Sequence, residues 1–245
     1  TIETTGTMLL GTEIAAAAEA LRGFPIFSLG LNCATGPHEM TEHVHWLGKH
    51  WEKPISVFPN AGLPVLLEGR THYPLRPEDF ATTLLRFVEQ EGVRLVGGCC
   101  GTTPEHIRAL AQLIGERAPS ARAKVAIPSG CSSLYGATSF KQDTSFLIVG
   151  ERTNTNGSRR FKRLLAEENW EALVSMGREQ IRDGSHVIDV SVDYVGRDGV
   201  RDMREVVKRF AQHVSVPLMI DSTQVDVLAE GLKHAPGKCI INSMN

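Results

Sequence analysis

Seven times along this chain a short apolar run stops on a polar or glycine residue, and helical patterns lie between the runs. The runs are PIFSLGLN (25–32), PISVFPN (54–60), VRLVGG (93–98), SFLIVG (145–150), HVIDVSVD (186–193), VPLMIDS (216–222) and KCIINS (238–243). Between them apolar residues recur at helical spacing: Phe80, Leu84, Leu85, Phe87 and Val88; Trp170, Leu173, Val174, Gly177 and Ile181; Val200, Met203, Val206, Val207 and Phe210; Val225, Leu228 and Leu232. A further helix is predicted from Pro104, with Thr102 or Thr103 as N-cap, Glu105 near the capping-box position, and Ile107, Leu110, Ala111 and Ile114 on one stripe. Strands this apolar, each followed by a helix, read as parallel sheets buried on both faces.

Polar residues or glycine repeatedly sit at the strand C-termini: Asn32, Asn60, Cys99, Glu151, Asp189, Asp221 and Asn242. In a (β/α)8 barrel that end is the catalytic face. A barrel needs eight strands, and the run count gives three, then a Pro- and Gly-punctuated polar stretch, then four. The expected fold class is therefore α/β, with two (β/α)8 TIM-type barrels each represented only in part. The expected boundaries are 1–116, a linker with an ordered part at 117–144, and 145–245. An excerpt of a longer parent fits that arithmetic.

A formal net charge of −2 argues against a nucleic-acid or anionic-membrane partner. No apolar run approaches the ~18 residues of a membrane span. The sequence opens at Thr1 without a signal-peptide pattern. Five cysteines, not spaced as a secreted disulfide scaffold, fit a reducing, cytoplasmic compartment.

Two of those cysteines are adjacent. Cys99 and Cys100, in VGGCCGTT, follow one strand, and Cys33, in GLNCATGP, follows another. In a barrel these loops meet on one face. Three thiolates there make a zinc site with an open fourth position. Gly97, Gly98 and Gly101 permit the turn that lets neighbours both ligate. The competing reading is three small buried hydrophobes. Cys131 and Cys239 are poorly placed to join them, one in the linker and one inside a strand. His38, His43, His45 and His50 cluster too, but His43 and His45 face different sides of a helix, unlike the i, i+4 spacing of helical zinc motifs.

In the second half GERTNTNGSRRF (150–161) follows a strand and opens a helix, with Asp189, Asp221 and Asn242 ending the next three strands. Carboxylates and an amide at a barrel mouth suit a flat heterocycle whose edge carries N–H donors and a carbonyl, such as a pterin. Each residue alone could equally be an N-cap or loop stabiliser. The basic run SRRFKR (158–163) reads as a solvated helix face, or more sharply as an attractor for an acidic tail.

GLNCATGP, PNAGLP and VGGCCGTTPEHI together resemble the homocysteine-binding domain of thiol methyltransferases. The resemblance implies that Cys33, Cys99 and Cys100 hold catalytic zinc and that homocysteine supplies a fourth sulfur. Asn60 would occupy that position without substrate, its plainer role being a turn residue before Ala-Gly. IVGERTN, IDVSVD, LMIDST and GKCIINS resemble the pterin-binding family of dihydropteroate synthases and methyltetrahydrofolate methyltransferases, and GERTN points to the methyltransferase branch. That resemblance implies pterin contacts from Asp221, Asn242 and, less closely matched, Asp189, with Glu151 and Asn154 as folate-loop contacts.

In this order the two resemblances imply methyl transfer from 5-methyltetrahydrofolate to homocysteine through cobalamin, the cobalamin bound by a domain of the parent outside this chain. No side chain is singled out as a chemical catalyst. A pteroate synthase-like fusion, a non-catalytic zinc scaffold and a betaine-type homocysteine methyltransferase are the competing readings.

Overall fold

The computed structural model describes residues 1–123 and 129–243. Contacts divide the chain into two compact units, Thr1–Leu10 with Phe24–Ile127 and Gly11–Gly23 with Pro128–Asn245. Each is α/β with a parallel sheet.

The first unit holds β1 (Leu29–Asn32), α2 (Thr41–His50), β2 (Ile55–Phe58), a hairpin of β3 (Val65–Leu67) and β4 (Arg70–His72), α3 (Pro77–Glu91), β5 (Leu95–Val96) and α4 (Pro104–Ile114). Its parallel sheet runs β1-β2-β5. Gly30 is set opposite Ser56, and a Cβ there would fall 1.7 Å from the Ser56 carbonyl oxygen, so only glycine lets the two strands pair. Helix α3 starts on Pro77 and stops on Gly92 at φ 64°, and buries Phe80, Leu84, Phe87 and Val88, four of the five residues of its predicted stripe. The residue at the capping-box position of α4 is His106, not Glu105: its Nδ1 accepts the Thr103 N–H at 3.2 Å. Buried His106 also reaches the Leu75 carbonyl with Nε2, at 2.9 Å, which ties α4 to the foot of the hairpin.

The second unit takes α1 (Ile14–Leu21) from early in the chain. It continues with a hairpin of β6 (Gly130–Ser132) and β7 (Ala137–Ser139), then β8 (Val149–Gly150), α5 (Arg159–Ala166), α6 (Trp170–Arg182), β9 (Val187–Val190), α7 (Gly199–His213), β10 (Leu218–Asp221), α8 (Val225–His234) and β11 (Ile240–Asn242). The hairpin lies inside the stretch read as a linker, of which 124–128 fall outside the described residues. It is bound to the entry ends of the last strands: Ser133 Oγ donates to the Ser215 carbonyl and Ser132 N–H to the Lys238 carbonyl. Helix α1 packs on the same hairpin and pairs Glu19 with Lys238 at 2.7 Å.

The parallel sheet runs β8-β9-β10-β11, each strand beside its successor. Ile188, Val190, Leu218 and Ile220 face the helices and join Phe161, Leu173, Met203 and Phe210 in one core. Burial on both faces, expected of every strand, holds for β9, whereas β10 alternates buried and half-buried residues because its helix-free face is less covered. Parallel register then decides which polar residues share that face. Asp189 aligns with Met219 and Asp221 with Asn242, so all three site candidates point away from the helices.

Candidate metal centre and strand-end acid cluster

Cys33 is positioned by the end of β1. Its N–H donates to the Phe58 carbonyl, continuing the β1–β2 ladder one residue past the strand. The backbone then turns left-handed at Cys33 (φ 63°) and Ala34 (φ 66°), a conformation non-glycine residues seldom hold. Cys99 and Cys100 leave β5 in the same manner: Cys99 N–H donates to the Pro59 carbonyl and the Cys100 carbonyl accepts from Ala61 N–H. Gly101 follows at φ 76°, and a Cβ on it would sit 2.2 Å from the Tyr73 ring.

The result is three sulfurs within 4.8 Å of one another, Cys33 Sγ to Cys100 Sγ at 3.7 Å and Cys99 Sγ to Cys100 Sγ at 3.9 Å. Two thiolates on one tetrahedral zinc at ~2.3 Å stand about 3.8 Å apart, so these residues fit that ion. Cys33 and Cys99 are half-buried and Cys100 is exposed, which leaves an open side. The thiols do not share charge evenly. A hydrogen bond from the Ala34 backbone, then the Cys99 thiol, draws Cys33 below the ordinary thiol range, while its bonds to Cys33 and Cys99 push Cys100 up.

Asn60 is 3% exposed, and its Oδ1 accepts the Cys100 N–H at 3.1 Å. The atom that would ligate a metal is thus engaged in holding the adjacent-cysteine turn, while the same side chain hydrogen-bonds the Cys33 thiol. Tyr73 escaped the sequence reading. It comes from the foot of the hairpin, lies against Gly101, and its hydroxyl is held protonated chiefly by desolvation and then by Cys100. Only the missing Cβ at position 101 hints at it in the sequence. Of the histidines, His45 pairs with Glu91 at 2.8 Å and His50 stacks on Trp46. None of the four joins a metal-ligating cluster among the described residues.

In the second unit the GERTN loop is fastened residue by residue. Arg152 N–H donates to Gln180 Oε1, Gln180 Nε2 to Thr153 Oγ1, Thr153 Oγ1 to the Asp189 carbonyl, and Thr155 Oγ1 to the Asp193 carbonyl. Asn154 Nδ2 lies 2.8 Å from Asp189 Oδ2 and 2.9 Å from Asp221 Oδ2. Burial, and beyond it the charges of Asp221 and Glu151, raises the Asp189 carboxyl to about 6. Asp221 is raised as well, chiefly by desolvation. Asp193 takes Ser222 Oγ–H at 2.7 Å and Thr223 N–H at 3.2 Å, which fixes the turn after β10.

Asn242 is half-buried beside Asp221, and Glu151 stands exposed at the rim over Gly157. Asp189, Asp221 and Asn154 are therefore brought into one hydrogen-bonded group, while Asn242 joins it through strand register. Gln180, Thr153 and Asp193 were not legible in advance, since each acts through a partner more than 25 residues away. The basic run is occupied locally: Arg160 pairs with Glu179, Arg163 with Glu167, and Lys162 lies over the Tyr194 ring.

Residues 1–114 match the family model for homocysteine S-methyltransferase, and residues 150–245 match that for pterin binding enzyme. Methionine synthase of Mycobacterium tuberculosis is 49% identical over 245 residues, covering all of this chain and 20% of its own length. Methionine synthase of Mycobacterium leprae is 47% identical over 249 residues, again across the whole chain and 21% of its own length. The chain thus spans about a fifth of the length of these relatives. A solved carboxyl transferase domain of Rhizobium etli pyruvate carboxylase with pyruvate aligns over 98% of this chain and 37% of its own. Its TM-score is 0.28 at 12% identity, too slight to bear on the argument. The first half of this chain is thus similar to the homocysteine S-methyltransferase family and the second to the pterin-binding enzymes, and the two mycobacterial methionine synthases are similar to it across both halves.

Proposed function

We propose that this chain supplies the two substrate sites of an enzyme that moves a methyl group from 5-methyltetrahydrofolate to homocysteine, making methionine and tetrahydrofolate. On this reading each parallel sheet is part of a (β/α)8 barrel, and both sites lie at the strand C-termini, where such barrels place their chemistry. The reading assigns 1–116 to the homocysteine part, 117–144 to the connection and 145–245 to the pterin part. Cobalamin, bound by a domain outside this chain, carries the methyl between the sites. A cytoplasmic, reducing setting keeps the three thiols available.

The observation that carries the reading is the convergence of Cys33, Cys99 and Cys100 at zinc–thiolate spacing with one side open. Zinc held by these three favours the thiolate of a fourth, incoming sulfur over its thiol at neutral pH. Asn60 anchors Cys100 through one lone pair of its oxygen, and the second lone pair is the one that could fill the fourth position. In the second unit Asp221 and Asn242 present an acceptor and an amide to the pterin edge, with Asp189, Asn154 and Glu151 behind and beside them. A closed structural zinc site would bury four ligands, so the exposure of Cys100 favours substrate activation over a scaffold role.

Zinc X-ray absorption on the holoprotein, with and without homocysteine, tests this. Three sulfurs rising to four is the expected result. Four sulfurs throughout, or no zinc, overturns it.

A further inference from the structure

The acid cluster of the second unit sets two carboxylates beside each other and gives them one donor in common. The Asn154 amide reaches Asp189 and Asp221 with a single nitrogen. It cannot be reversed without loss, because its Oδ1 accepts the Asn156 N–H at 2.8 Å and the alternative would set that oxygen against two carboxylates. Its backbone is equally fixed, N–H to the Glu151 carbonyl and carbonyl to the Ser158 N–H. Asp189 is 3% exposed, and its Oδ1 has no hydrogen-bond partner among the described residues. The charged groups facing the pair are acidic as well, Glu151 from the loop after β8 and Asp193 from the loop after β9. Carboxylates this close repel, and the charge of half-buried Asp221 disfavours ionisation of buried Asp189.

We propose that Asn154 is a positioning residue that clamps Asp221 to the buried Asp189, holding the second oxygen of Asp221 in place for the ligand. This rests on the pterin-binding reading of the site. It also alters the part expected of Asn154, which acts on the two acids rather than on the folate. Asp189 in turn becomes the fixed end of the clamp, anchored at its own backbone carbonyl by Thr153.

The test is the affinity of the holoprotein for 5-methyltetrahydrofolate, measured by titration calorimetry from pH 5.5 to 8. Wild type is compared with Asn154→Ala, Asp189→Asn and the double variant Asn154→Ala/Asp189→Asn. Asn154→Ala is expected to weaken binding at least about tenfold at pH 7.5, as loss of a charge-assisted bond does. The deficit should shrink toward pH 5.5, where a proton shared by the acids replaces the amide. The double variant should recover most of the loss, because a neutral amide at 189 removes the repulsion and can itself donate to Asp221. Asp189→Asn alone should flatten the pH profile of binding relative to wild type, and it keeps the test open if Asn154→Ala does not fold.

Equal weakening at every pH, or no recovery in the double variant, overturns the clamp and makes Asn154 a ligand contact. No binding by wild type overturns the pterin reading itself, a result distinct from failure of the clamp.

Discussion

Cys33 is useful because of a backbone conformation that few side chains adopt. The left-handed turn at Cys33 and Ala34 carries a cost of about 1–3 kcal/mol per strained residue, and it swings the thiol across to the loop after β5. The cysteines themselves were legible in the sequence, since a CC pair between glycines has few structural uses. The groups that hold them were not, because a turn asparagine and a metal-site asparagine look alike until the Cys100 N–H is seen to need a partner. Asn60→Ala is therefore expected to lower zinc affinity ten- to a hundredfold, about the usual effect of losing such a supporting bond, as read by competition with a chelator. Asp189 offers a test through pH. Its carboxyl titrates at about 6 in the fold against 3.8 for the ordinary value, so the native state holds the extra proton between those limits. Stability should fall as pH rises from 4 to 6, by up to about 3 kcal/mol. Asp189→Asn should match wild type near pH 4, exceed it above pH 6 and show a flat profile between, in thermal melts at fixed ionic strength.

Among the elements, those with a hydrophobic period were readable and those without one were not. All seven apolar runs became parallel strands and every predicted helix formed, but only the stripes of α3, α6 and α7 are largely buried: Ile107 and Ala111 of α4 and Val225 and Leu232 of α8 are exposed. The hairpin β3–β4 went unread because every residue in its strands is exposed and its turn, Glu68–Gly69, places a glutamate where the usual signal is Asn or Asp before Gly. Helix α1 is mostly alanine and presents no contrasting faces. The unread hairpin nonetheless bears on the metal centre, since Tyr73 at its foot packs against the turn that carries Cys100. Gly101→Ala should cost about 1–2 kcal/mol from its φ alone and more from displacing Tyr73. Urea denaturation and the zinc content of the purified variant would show both losses; a wild-type midpoint with full zinc would refute the close packing.

At the scale of the whole molecule, the residues of each site fall within one unit: every residue named in the thiol cluster lies in the first, and every residue of the acid cluster in the second. Stripping zinc is accordingly expected to abolish homocysteine binding and leave 5-methyltetrahydrofolate affinity within about twofold, a split that paired titrations with and without a chelator would reveal. The order of residues is less tidy than the division of sites. Helix α1 precedes most of the first unit in sequence but packs in the second, where Glu19 meets Lys238 across 219 positions of chain. A single genetic crossover near residue 128 that replaced everything downstream would import a new pterin half and keep the old α1 to cover it. The helix and the distant surface it covers must therefore be inherited together, since a few alanines near the start of the sequence pack on a hairpin more than a hundred residues away.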